Sequence, residues 1–205
     1  MTGSVKVGPV SAADNTSTSF RGTKQGALVT SSTYGKYYDL ASRGLMFSAA
    51  NVTAQATSVG LTTTYTGLCI YNPASSGKNL VMLGYQYAIQ VGEVAIAPQF
   101  LIAGFSAAGV VTHTAALAAP GIMNCLINGT NGSAAGADTQ ATIVNPFYLM
   151  PVRSGFTAGA LGGPGMASII DLEGRYVIPP GGWIANGSYT ATTGLAGFTW
   201  TEVAV

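Results

Sequence analysis

Charge is what this chain has least of. Only 7 % of its 205 residues are Asp, Glu, Lys or Arg, against about 25 % in an ordinary soluble domain. Eight basic and seven acidic residues leave a net charge of +1, so no overall basic balance points to nucleic acid. Disorder does not follow either, because it needs low hydrophobicity with high net charge, and 48 % of this chain is hydrophobic. A weakly charged apolar surface repels neighbours poorly. It is the kind of surface that another subunit covers.

Reactive side chains are as scarce. His113 is the single histidine, and in a Thr/Ala stretch it reads as a structural residue. Cys69 and Cys125 sit in the apolar runs GLCIY and MNCLI and read as thiols packed in a core, not as a disulfide framework. One histidine and two distant cysteines cannot build a zinc cluster, so neither metal nor cofactor is expected. GFSAAG (104–109) has one residue too many for a G-x-S-x-G nucleophile elbow. Around Gly77-Lys78 a phosphate loop fails at Asn72 and Asn79, and Pro164 interrupts the glycines of GALGGPG (159–165). Asp171 and Glu173 would share a strand face with Arg175, an arrangement better suited to a salt bridge than to a cation or a glycosidase pair. Enzymatic activity is not expected.

The opening MTGSVKVGPV has no apolar run, so no signal peptide is expected. Without secretion the Asn-X-Ser/Thr sequons at Asn15, Asn51, Asn128, Asn131 and Asn186 carry no meaning. The uncharged stretch Val94–Val111 contains Pro98, Gln99, Gly104 and Gly109, which suits two buried strands with a turn near Gly109 better than a membrane helix. No membrane partner is expected.

What remains is a series of short strand-like runs: ALVT, KYYDL, GLMFSA, QATSVGL, YTGLCIY, KNLVMLGYQYAIQV, QFLIAGF, GVVTHTA, IMNCLI, ATIV and FYLMPV. Gly, Pro and Asn punctuate them, including a hairpin-type break from Asn72 to Lys78 and Asn-Gly pairs at 128–129, 131–132 and 186–187. The best helix candidate, HTAALAAPG, is cut short by Pro120. The pattern predicts an all-β sandwich or barrel over residues 27–205, preceded by an extended polar N-terminal arm over 1–26. SGFTAGALGGPGMAS (154–168) reads as a surface loop or a loop in a subunit contact. The clustered Tyr34, Tyr37 and Tyr38 and the alternating Tyr85 and Tyr87 read as packing residues.

Three strings add a family likeness. RGTKQGALVTSSTYGKYYDLASRGLMF (21–47), TTYTGLCIYNPASSGKNLVMLGYQYAI (63–89) and IPPGGWIANGSYTATTGLAGFTWTEV (178–203) resemble segments of small virion proteins of tailed bacteriophages. The resemblance implies a jelly-roll-like antiparallel β-sandwich, similar to the tumour-necrosis-factor-like fold and often a homotrimer. It implies a head decoration, or cement, protein on the capsid exterior, assembled in the host bacterial cytoplasm, whose partner is the major capsid protein. A receptor- or glycan-binding head-fibre or tail module is the alternative.

On that expectation Lys6, Arg21, Lys24, Lys36 and Arg43, five cations against Asp14 and Asp39, are candidate capsid contacts. The closing segment is read as a turn at Pro179–Gly182, a strand WIANGSYTA, a turn in TTGLAG and a last strand GFTWTEVAV. Phe198, Trp200 and Glu202 share one face of that strand. With Tyr189 they are the candidate subunit contacts.

Overall fold

The structure, a computed structural model, describes residues 35–91, 98–105, 112–113, 121–130, 132–153, 167–190 and 192–205. The chain divides into Met1–Tyr38 and Asp39–Val205. The expected arm, with Lys6, Arg21 and Lys24, lies outside the described residues. So do ALVT, Tyr34, the expected turn near Gly109, Asn131, loop residues 154–166 and residues 114–120 of HTAALAAPG.

One short helix, α1 (Tyr38–Ser42), precedes the strands β1 (Met46–Ala50), β2 (Gln55–Thr57), β3 (Thr64–Tyr71), β4 (Lys78–Val91), β5 (Gln99–Phe105), β6 (Thr112–His113), β7 (Ile122–Asn124), β8 (Gly136–Thr142), β9 (Phe147–Arg153), β10 (Ala167–Ile178), β11 (Gly182–Ser188) and β12 (Thr192–Ala204). Sheet 1 has the order β10-β4-β12-β1-β7, with β2 also on β12, and sheet 2 has the order β6-β8-β3-β11-β5-β9. All their pairings are antiparallel. Among β1, β3, β4, β5, β9, β10, β11 and β12, the chain passes back and forth between the sheets, with β5 and β9 as the one pair of successive neighbours within a sheet. This is a jelly roll.

Alternation along the strands builds two apolar layers. Leu68, Ile70, Leu80, Met82, Tyr85, Tyr87, Leu101, Ile184, Phe198 and Trp200 form the core between the sheets. Strand neighbours of opposite parity, including Cys69, Phe100, Ile102, Trp183 and Ala185, form a second buried cluster on the other side of sheet 2. Its rings lie over cross-strand glycines. Trp183 pairs with Gly104 and Phe100 with Gly187, and Tyr71 pairs with Gly136. A Cβ on Gly104, Gly187 or Gly136 would come within 2.5, 2.3 or 2.1 Å of the facing ring, so each aromatic occupies the space its partner leaves empty.

Four local expectations are corrected. KYYDL contributes to a helical turn, not a strand. Arg43 reaches Asp39 one turn back at 3.5 Å, and Gly44 (φ 67°) ends the helix with amide bonds Gly44 N–H to Ala41 O and Leu45 N–H to Leu40 O, a Schellman stop. The Asn72–Lys78 break is no hairpin, because it carries the chain from β3 in sheet 2 to β4 in sheet 1. Asn72 donates across the crossing to Lys78 O and Ile178 O at 2.7 and 2.9 Å. Asn186-Gly187 lies inside β11, not in a turn. TTGLAG is the start of β12, where Gly194 leaves room for the Tyr87 ring. The turn at Pro179–Gly182 forms as expected, with Gly181 at φ 86° and Gly182 N–H on Pro179 O at 2.8 Å.

Candidate interaction surface

The reactive groups are dispersed or silenced. Among the described residues no three His, Cys, Asp or Glu side chains stand close enough to hold a metal ion. Both cysteines are free thiols. Burial, reinforced by the neighbouring Asp138, pushes the Cys69 thiol well above its ordinary pKa, and burial raises Cys125 against a hydrogen bond with Ser48. Such thiols are poor nucleophiles. Asp171, Glu173 and Arg175 do all face outward, but a bulge interrupts β10 there. Glu173 (φ 51°) and Gly174 (φ 75°) are left-handed, and the Glu173 amide bonds the Asp171 carboxylate at 3.1 Å. No described helix is long and apolar enough to cross a membrane.

The surface carries a different kind of feature. The outward positions of sheet 1 form rows that run from strand to strand. One row is Ile169, Gln86, Gly197 and Ala50, and a second is Asp171, Gly84, Thr199, Ser48 and Met123. Ala88 beside Leu195 begins a third. Asp171, on the edge strand, is the one charged residue in these rows. Ile169 is 79 % exposed and Met123 66 %. A shallow trough of about 210 Å³ lies between Ile169 and Leu195 over Gly197. Exposed faces of antiparallel sheets ordinarily alternate to polar and charged residues.

Two smaller features lie in the same unit. The loop after β7 is built by Asn124, whose side-chain amide donates to Gly44 O at 2.8 Å and Thr130 O at 3.3 Å and whose Oδ1 accepts the Leu126 amide at 2.8 Å. Asn128 takes a left-handed φ of 74°, and Gly129 N–H closes on Leu126 O. The result presents Ile127, 89 % exposed, beside Leu126. The second feature is an apolar cleft of about 350 Å³ beside β9 and β10, lined by Phe105, Phe147, Tyr176, Val177, Pro179 and Trp183, with Arg175 also in its wall.

The candidate subunit contacts separate. Phe198 and Trp200, at 1 % and 0 % exposure, are corrected to core residues: Trp200 meets Phe47 and Phe198 meets Tyr85, with ring centres 6.3 and 4.8 Å apart. They cannot touch a neighbouring subunit directly. Tyr189 is 64 % exposed in the turn before β12. Glu202 finds its partners within the chain: Lys78 Nζ at 2.8 Å, Ser133 Oγ at 2.6 Å and Ala134 N at 2.9 Å. Burial raises its pKa, but those three hydrogen bonds and the Lys78 charge outweigh burial and leave it below the usual carboxylate value. Among the candidate capsid contacts, Lys36 stands 5.2 Å from the ring centre of Tyr37, and Arg43 is the partner of Asp39. Lys6, Arg21 and Lys24 lie outside the described residues. Tyr85 and Tyr87 pack in the core as expected, ring centres 6.5 Å apart.

The sheet 1 face and the Leu126–Ile127 tip were not singled out in the sequence. Their signal is parity: in GLAGFTW the positions between the core residues are Leu, Gly and Thr, with no charge. Comparison of the chain with protein-family models, characterised proteins and solved structures finds no match.

Proposed function

We propose that this protein is a structural virion protein: a homotrimeric decoration, or cement, protein that binds the exterior of a bacteriophage head and bridges major capsid subunits. The observation that carries the reading is the charge-poor outer face of sheet 1, whose rows hold a single charged residue, Asp171 on the edge strand. Inward of the edge residue Asp171, these rows hold Gly, Ala, Ser, Thr, Gln, Leu, Ile and Met, with no cluster of acids or metal ligands. Such a face offers close, dry contact with another protein. A trimer that buries this face would also multiply weak contacts with a repeating shell into avidity. The jelly-roll topology suits this role, although a fold alone does not fix a function. The virion setting and the capsid partner rest on the likeness of the three strings.

Sedimentation of the purified protein, with and without empty bacteriophage head shells, tests the reading. A trimer that pellets saturably with the shells is expected, and a monomer that never pellets would overturn it. The alternative, a glycan-binding fibre or tail module, draws support from the exposed rings of Phe147, Tyr148 and Tyr189. Saturable hits on a glycan array without shell binding would favour it.

A further inference from the structure

The loop tip and the cleft are complementary features of one chain. The tip is preformed: the Asn124 amide, the left-handed Asn128 and the Gly129–Leu126 hydrogen bond hold it. Cys125 N–H on Met46 O also ties it to β1. After Asn131, the chain is fixed again where Ser133 and Ala134 bond Glu202. An isoleucine left 89 % exposed on a loop so constrained loses little further freedom on binding, which is the condition for an anchor residue.

The chemistry around the tip narrows its occupant. Residues 94–137 contain no Asp, Glu, Lys or Arg. Arg43, next to the Gly44 that the tip's Asn124 bonds, is paired with Asp39 at 3.5 Å, whereas a phosphate backbone or an anionic lipid surface needs several cations and a sugar needs aromatic faces or several hydrogen-bonding groups. An apolar protein cleft needs neither. The cleft beside β9 and β10, about 350 Å³ and walled by Phe, Tyr, Val, Pro and Trp, has room for two aliphatic side chains. It also places Phe147, half exposed, at its mouth.

We infer that Leu126 and Ile127 of one copy enter the cleft at Phe147 of a second copy. Tip and cleft are different surfaces, so the contact is heterologous and each copy offers both halves. Such a contact closes into a trimeric ring when successive copies are related by a 120° rotation and otherwise grows as a filament, which sedimentation would show as species larger than a trimer. A stable contact buries about 800 Å² on each partner, more than a two-residue tip supplies. Met123 leads from the tip onto the outer face of sheet 1, whose five strands span about 20 Å, and this face contributes the remaining area. The inference rests on the trimer reading above and specifies where one copy holds the next.

The test is a charge reversal across the contact, read by sedimentation. Ile127→Asp alone and Phe147→Lys alone should each raise the concentration at which trimer forms by about thirtyfold or more, with melting of the dissociated chain unchanged. The double variant should recover the trimer, because each Asp then meets a neighbour's Lys. In a Cys125→Ser background, Ile127→Cys with Phe147→Cys should form disulfide-linked dimers and trimers under oxidation. A trimer unaffected by either single variant, or a trimer that gives no cross-link, overturns the contact and leaves the trimer reading standing. A wild-type monomer overturns both. A trimer that survives Ile127→Asp but no longer pellets with shells assigns the tip to the shell and removes the cleft as its site. If a single variant fails to fold, the cross-linking pair decides.

Discussion

Glu202 gains its low pKa from groups that exist together only in the folded chain: Lys78, the Ser133 hydroxyl and the Ala134 amide. A carboxyl whose folded pKa lies below its unfolded value stabilises the fold above the unfolded pKa, about 4.3. That contribution is lost as pH falls through the folded value. Melting temperatures of wild type and Glu202→Gln should therefore differ most near neutral pH and converge on acidification below about pH 4. A gap that does not shrink would show the Glu202 charge to be idle. Other buried polar groups predict opposite signs. The Tyr85 hydroxyl is buried with no hydrogen-bond partner, so Tyr85→Phe should leave stability unchanged or raise it by about 1 kcal/mol. Asn186 is fully engaged, accepting from Tyr65 Oη and the Leu68 amide and donating to Thr57 Oγ1. Asn186→Ala should cost about 2–3 kcal/mol in urea denaturation, since it strands the buried Leu68 amide. Asn-Gly usually marks a turn, yet Asn186-Gly187 lies within the stretch WIANGSYTA, read as a strand, which became β11. The bonding partners of Asn186 lie on β2 and β3, more than a hundred residues away in the chain, and local pattern cannot register them.

Strands were legible wherever one parity is strongly apolar. YTGLCIY, KNLVMLGYQYAIQV and QFLIAGF became β3, β4 and β5 nearly as read. What pattern could not show is which sheet each strand joins, so the Asn72–Lys78 crossing looked like a hairpin. It also could not show that Gly104, Gly136 and Gly187 stand opposite Trp183, Tyr71 and Phe100, where glycine serves packing and not turning. Gly104→Ala would press a methyl against both the Trp183 ring and Val144 O, each 2.5 Å away. A cost of about 1–3 kcal/mol is expected for such overpacking, with a loss of near-ultraviolet Trp signal. A neutral Gly104→Ala would contradict the pairing of ring and glycine. The long edge strands carry interruptions of their own. Pro151 sits in β9, and the left-handed Glu173-Gly174 bulge divides β10. Both features discourage strand addition, which directs association toward side-chain faces.

At the scale of the molecule, scarcity of charge raises the expectation of association, and among the described residues the outward rows of sheet 1 hold a single charge, Asp171. The expected contact at Phe198 and Trp200 was displaced because the apolar parity of β12 turns inward. Leu195, Gly197 and Thr199, on the opposite parity, are the residues left outside. Trp200→Ala should cost about 3–5 kcal/mol, seen as a lowered unfolding midpoint. Any loss of trimer should follow from unfolding, whereas Leu195→Glu on the outer face should reduce association with melting of the monomer unchanged. The central claim is that this chain works by holding to other proteins. Co-sedimentation of the intact protein with empty bacteriophage head shells tests it most directly. The account predicts a trimer that pellets saturably with the shells. A monomer that stays in the supernatant at every shell concentration would contradict it.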